Sequence, residues 1–104
     1  MEKVFLELDF DWDTHNIDKI WKKHKVRFPE AEEVFFDINL TILPDPTHSI
    51  AEERYIALGK TKTGRPLFVV FTERAGKIRI ILARDMNKKE RSGHYEQTKE
   101  SAVA

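Results

Sequence analysis

The chain has 104 residues, with 18 Lys plus Arg, 18 Asp plus Glu and no Cys, a length that suits one globular domain with a modest core. The mean hydropathy is −0.53 and no apolar run approaches the roughly 18 residues that cross a bilayer, so no membrane span is expected. The lack of Cys excludes disulfides, thiolate catalysis and thiolate-held metal sites.

The net charge of zero conceals a division. Residues 1–53 hold 6 Lys/Arg against 13 Asp/Glu, and residues 54–104 hold 12 against 5, so the halves carry −7 and +7. Such asymmetry points to an anionic partner for the second half, nucleic acid first among them, or to a basic partner for the first. The competing reading is that the two halves neutralise each other inside one fold.

At the N-terminus, Val4, Leu6, Leu8 and Phe10 alternate with acidic residues, which predicts a short strand. A secretion signal would begin with basic residues and an apolar stretch, so a cytoplasmic location is expected. Asp13 or Thr14 is placed to cap a helix over about 14–24, where Ile17, Ile20, Trp21 and His24 form one core-facing stripe. Pro29 suits the first turn of a second, short helix whose Ala31, Val34, Phe35 and Ile38 repeat that spacing, although Arg27 and Phe28 are poor caps. Pro44 and Pro46 make 43–49 a loop, because they disfavour regular pairing.

Three strands follow, at 53–61, 66–74 and 77–84, and short connections make them an antiparallel meander. Thr63-Gly64 and Ala75-Gly76 stand where two-residue turns belong. Taken literally, those turns put Ile56, Phe71 and Ile80 in one core row and Leu58, Val69 and Leu82 in the next. The opposite face then holds the rows Tyr55/Thr72/Arg79, Ala57/Val70/Ile81 and Gly59/Phe68/Ala83, a shallow depression of small residues beside Arg74, Lys77 and Arg79. Asn87 followed by Glu90 caps a last helix over about 88–98. Its apolar content is low, Tyr95 standing almost alone, so it packs loosely, and 99–104 is expected to be a frayed tail. The expected fold class is α+β, one domain over 1–98, with two N-terminal helices on an antiparallel sheet.

Arg74, Lys77 and Arg79, extended by Arg84, Lys88, Lys89 and Arg91, form a basic stripe able to follow a phosphodiester backbone. Tyr55 and Tyr95 are candidates for stacking on bases, and Lys23 with His24 for facing a phosphate. Against this, Glu53–Arg74 and Glu90–Arg91 can be read as ordinary surface ion pairs worth about 0–1 kcal/mol each. The four His residues are scattered, with no HExxH or compact carboxylate–His set, so neither a metal nor a cofactor is expected.

The ordered set Trp12-Asp13, Lys23-His24 with Val26 and Phe28, Glu32 to Val34-Phe35 and Asp37, Glu53-Arg54, Leu58-Gly59, Gly64-Arg65, the VVFTER run at 69–74, Ile78 to Ile81 with Ala83-Arg84, Glu90-Arg91 and Tyr95 resembles the BrnT-type toxins of bacterial type II toxin–antitoxin systems. The likeness covers residues 9–96. It implies a compact RelE-like domain and metal-independent RNA cleavage, in which the substrate 2′-hydroxyl attacks its own phosphate and translation is inhibited. It also implies a BrnA-like ribbon-helix-helix antitoxin, through which alone operator DNA is contacted. Under this resemblance the catalytic candidates are Arg79 and Arg84 as phosphate-stabilising cations, with Tyr95 and His24 among the possible bases, while Lys23, Tyr55, Arg74, Lys77, Lys88 and Arg91 are candidates for holding RNA. The alternative is a catalytically weak module that binds its antitoxin and acts as a co-repressor. Lys25 stands where the family usually has Gly after Lys-His, so it must take a costly left-handed conformation or end the helix differently. Asn16, Ile20 and Leu82 also depart from the usual Lys, Asn and Ser.

Overall fold

The computed structural model of the chain describes residues 8–46 and 52–103. Helix α1 (Thr14–His24) starts at Asp13, whose carboxylate accepts the Asn16 N–H at 2.7 Å, as its sequence predicts. Its buried stripe is rotated from the expected one: Ile20 is buried together with Asn16, while Trp21 is 37% exposed. Helix α2 (Phe28–Glu33) has Pro29 in its first turn, and Arg27 gives no side-chain cap. Instead Glu30 accepts the Arg27 N–H at 3.0 Å. A 3₁₀ turn at Val34–Phe36 then ends the helical run, so Ile38, predicted to lie on the buried stripe, is 96% exposed.

Strands β1 (Thr41–Pro44), β2 (Tyr55–Lys60), β3 (Pro66–Arg74) and β4 (Lys77–Asp85) form an antiparallel sheet in the order β1-β2-β3-β4. Leu43 and Pro44, expected in a loop, close β1. Proline is compatible with an edge strand, where the missing N–H removes no bond the sheet needs. Thr47, His48 and Ser49 of that expected loop lie outside the described residues, as do Val4 and Leu6 of the expected N-terminal strand. Phe10 bridges Ile78 in parallel, with Asp11 N–H donating to Ile78 O at 2.9 Å and Ile78 N–H to Asp9 O at 2.8 Å, so this segment borders β4.

Ala75 and Gly76 both have positive φ, 51° and 78°, and Arg74 pairs directly with Lys77, as a two-residue turn requires. The first hairpin differs from its predicted turn: Lys60 pairs with Pro66, leaving the five residues 61–65 as the loop. That shifts β2 by one residue, so Tyr55 faces Phe71, and Ile56 faces Val70. A bulge on β4, where Ile81 is left without a partner opposite the step from Val70 to Phe71, moves that register as well, so Val70 pairs with Leu82 while Phe71 pairs with Ile80.

The exchange is structurally necessary. The core joins Ile20, Val26, Ala31, Val34 and Phe35 from the helical layer to Ala57, Leu67, Val69, Phe71, Ile80 and Ala83 from the sheet. The small residues predicted to line a depression on the far face therefore lie beneath the helices and let the backbones approach. At Gly59 a Cβ would stand 3.0 Å from Val34 Cγ1 and 3.1 Å from Val34 O. Ile56 and Leu82, predicted in the core rows, belong to the far face with Val70, and Leu58 joins them. Tyr55 takes the reverse path and packs against the core, its ring 5.5 Å from that of Phe71. Thr72 and Arg79 do share a row on the far face, opposite Phe71 and Ile80.

Helix α3 (Lys88–Val103) runs past the predicted end at 98. The predicted box is present: Glu90 N–H donates to Asn87 Oδ1 at 2.8 Å and Asn87 N–H to Glu90 Oε1 at 2.9 Å. The residue that anchors α3 is His94, buried with Nε2 2.9 Å from Asn39 O, while Tyr95 is 62% exposed.

Candidate active site

Where α1 ends, three basic residues stand in succession, Lys22, Lys23 and His24, favourably placed against the negative end of the helix. The helix closes on Lys25, at φ 55° and ψ 37°, with its N–H on Trp21 O at 2.9 Å. Lysine pays for this left-handed conformation where glycine does not. Cation–π contacts accompany it, with Lys25 Nζ 5.0 Å and the Arg27 guanidinium 4.4 Å from the Trp21 ring centroid.

Arg65, in the first hairpin loop, fastens this helix end to the sheet. Its guanidinium donates to Lys25 O at 3.0 Å and His24 O at 3.4 Å, to both Glu30 oxygens at 3.2 and 3.3 Å, and to Asp85 Oδ1 and Oδ2 at 2.6 and 3.1 Å. The Arg65 hydrogen bond holds the Asp85 carboxyl below its ordinary range against the effect of burial, and the charges of Arg65, His24 and Arg91 add to it. Sequence reasoning placed Arg65 only within the Gly64-Arg65 motif. A lone Arg after a turn glycine gives no sign of the two distant carboxylates and two helix-end carbonyls that fold onto it.

Lys23 and His24 line a small depression of about 80 Å³ against Ile81 and Leu82 of β4. Two residues beyond Leu82, the Arg84 guanidinium lies 3.9 Å above the Phe68 ring and grips Glu90 with two bonds of 2.9 Å. That grip holds the Glu90 carboxyl below its ordinary range. Arg91 donates to Met86 O at 2.8 Å, and Tyr95 lines a hollow with Arg91 one helical turn away. Lys88 is exposed in the first turn of α3. The fold therefore brings Lys23, His24, Arg84, Lys88, Arg91 and Tyr95 to the C-terminal end of β4.

The other candidates lie elsewhere. Arg79 is at the opposite end of β4, five residues from Arg84, roughly 15 Å along a strand. It is engaged by Asp13 at 2.8 Å and Asp11 at 3.7 Å, and its hydrogen bond holds the Asp13 carboxyl low. Arg74 is bound by Glu52 at 3.1 Å, rather than by Glu53 as expected, and Lys77 lies 3.8 Å from Asp9. Glu90 likewise pairs with Arg84 instead of Arg91. Tyr55 is occupied with Phe71. The basic half and the acidic half thus neutralise each other across much of the sheet, and the basic stripe is not one continuous bare surface. Among the described residues, no three His, Asp or Glu side chains converge as metal ligands.

These features define a small single-sheet α+β protein with a carboxylate-braced basic cluster at one sheet end, a form suited to polyanions. Comparison places it more closely: residues 12–90 match the family described as ribonuclease toxin, BrnT, of type II toxin-antitoxin system, and the chain belongs to that family. In fold it is similar to the crystal structure of the Brucella abortus ribonuclease toxin BrnT, at 17% sequence identity and a TM-score of 0.60 over 78% of this chain and 99% of that one. No curated protein sequence matches the chain. Membership of a type II toxin–antitoxin family implies an antitoxin partner. No helix among the described residues is long and apolar enough to cross a membrane.

Proposed function

We propose that this chain is a metal-independent endoribonuclease toxin, acting at the cluster where α1, the end of β4 and the start of α3 meet, and inhibiting translation by cutting RNA. The observation that carries this reading is the placement of His24 and Lys23: among the described residues neither side chain has a hydrogen bond or ion pair, and both line a depression against Ile81 and Leu82, which precede Arg84 on β4. An imidazole is suited to proton transfer near neutral pH.

In the proposed reaction His24 accepts the proton of a substrate 2′-hydroxyl, and the 2′ oxygen forms a bond to the adjacent phosphorus. The bond from phosphorus to the 5′ oxygen breaks, and that oxygen takes a proton from solvent, leaving a 2′,3′-cyclic phosphate and a 5′-hydroxyl. Arg84 and Lys23 stabilise the pentacoordinate phosphate, Arg91 and Lys88 hold flanking phosphates, and Tyr95 offers a ring to a base. Arg79, Arg74 and Lys77 serve the fold through their carboxylates, with Arg79 bracing the capped start of α1. A BrnA-like ribbon-helix-helix antitoxin neutralises the toxin and supplies its contact with operator DNA, and the pair acts in the cytoplasm.

The carboxylate partners of Arg79 and Arg84 favour a second reading, a weakly catalytic module that binds its antitoxin as a co-repressor. Cleavage assays separate the two. On purified RNA in EDTA, wild type should yield cyclic or 3′-phosphate ends, and His24→Ala or Arg84→Ala should slow cleavage by about a hundred- to a thousand-fold. Loss of activity on chelation, or full activity in both variants, overturns the first reading.

A further inference from the structure

Four exposed aromatic and aliphatic residues in the stretch from α1 to β1 lie beside two hollows that share Pro29. Trp21 and Phe28 flank one, and Phe36 and Ile38 line the other, a groove of about 590 Å³. Phe36 is 60% exposed. Exposed apolar side chains gathered in this way and rimmed by charges are characteristic of a protein–protein contact.

The rim of the larger groove is divided by sign. Glu32, Glu33 and Asp37 form the wall made by α2 and the 3₁₀ turn, and Lys60 and Lys62 form the wall made by the end of β2 and the hairpin loop. The walls are tied together by their backbone rather than by their charges: Asp37 Oδ2 accepts the Lys60 N–H at 2.6 Å and Glu33 Oε1 accepts the Lys62 N–H at 3.0 Å. Among the described residues neither lysine ammonium is in an ion pair, and the carboxylates meet only neutral donors: Asp37 Oδ1 also accepts the Asn39 N–H at 3.1 Å, and Glu32 Oε2 accepts the Trp12 indole N–H at 2.8 Å. The groove is thus held in shape by neutral donors, its charges left without counter-ions among the described residues.

We infer that this groove is the docking site of the antitoxin, which seats an amphipathic helix there. That helix lays aliphatic side chains on Phe36 and Ile38, turns a basic flank toward Glu32, Glu33 and Asp37, and turns an acidic flank toward Lys60 and Lys62. The opposed walls set its direction, since the reversed helix puts like charges together. Among the described residues a second copy of this chain offers no such helix: α1 buries Ile20 in the core, and α3 gathers no apolar face. The inference rests on membership of the toxin–antitoxin family for its partner. Asp37 and Lys60 also border the hollow that holds Arg91 and Tyr95, so a chain leaving the groove passes directly to the proposed RNA site.

The test uses the 104-residue chain and the BrnA-like ribbon-helix-helix antitoxin of the proposed function. Titration calorimetry with wild type, Ile38→Asp and Phe36→Asp should show binding weakened at least about thirtyfold in each variant, the loss typical of a central interface anchor. RNA cleavage by the free variants should match wild type, and their melting curves should overlay it. Lys62→Glu should weaken binding, and an antitoxin whose acidic flank is changed to lysine should restore it. Unchanged affinity in both aspartate variants overturns the docking site while leaving the family's partner in place. Failure of the wild-type chain to bind that antitoxin overturns the partner reading and this inference with it. Weakened self-association on size-exclusion chromatography, with antitoxin affinity intact, assigns the groove to a second copy and also refutes the inference.

Discussion

Replacing Arg65 with alanine removes the clamp between α1, α2 and β4 in one step. The guanidinium makes two bonds to Asp85, shares Glu30, and caps the carbonyls of His24 and Lys25. Hydrogen bonds to charged groups contribute about 1.5–3 kcal/mol net each. The Arg65 and Glu30 side chains are each 26% exposed, so the low end applies to that pair; the Asp85 side chain is 60% exposed, which screens its pairing to about 0.5–1 kcal/mol, and the two together give a loss of about 2 kcal/mol. In urea, with a slope of about 1–3 kcal/mol/M, the midpoint should fall by roughly 0.7–2 M at pH 7 with the slope unchanged. Arg65→Lys should recover less than half, because an ammonium cannot reproduce the planar fork on Asp85 and reach the carbonyls as well. The sign with pH follows from Asp85, whose carboxyl is held low in the folded state. Its pairing stabilises fully above the unfolded-state pKa and is lost as pH falls through the lower folded value. The gap between wild type and Arg65→Ala should therefore narrow below about pH 4. A loss under about 1 kcal/mol at pH 7, or a gap that widens in acid, would falsify the view of Arg65 as the clamp.

Gly59→Ala places a methyl 3.0 Å from Val34 Cγ1, 3.1 Å from Val34 O and 3.2 Å from Asp37 Oδ2, and should cost about 1–3 kcal/mol by overpacking in chemical denaturation; a neutral result means the 3₁₀ turn yields. Lys25→Gly relieves a lysine at φ 55° but gives up its contact with Trp21, so a net gain of up to about 1 kcal/mol is expected in thermal melts. A clear loss there shows that the cation–π contact outweighs the backbone strain.

Helix α1, its Asp13 cap, Pro29 at the start of α2, the strands at 66–74 and 77–84 and the Asn87–Glu90 box were legible in the sequence, because each depends on neighbours within a few residues. Caps bond two or three positions away, and Ala75-Gly76 fixes its turn with its own two positive φ angles. The family, too, was legible, carried by an ordered set of residues along the whole domain.

Tertiary structure decided what depends on distant partners. The five-residue first hairpin and the β4 bulge at Ile81 set the register, and one residue of slip in each moved Ala57, Gly59 and Ala83 from a supposed RNA-binding face to the bed of the helices. A period of two makes the faces of a strand interchangeable until something packs on one of them, and Val34 and Phe35 chose the face whose small side chains let them close in. The cations were sorted in the same way. Arg74, Arg79 and Arg84 look equivalent along the chain, yet Glu52, Asp13 and Glu90 come to them only in the folded protein. Among the described residues Lys23 and His24 receive no such partner, and Arg65, inconspicuous by itself, gathers both Glu30 and Asp85. A sequence displays the charge of a side chain, but the carboxylate that will stand beside it is set by packing between elements tens of residues apart.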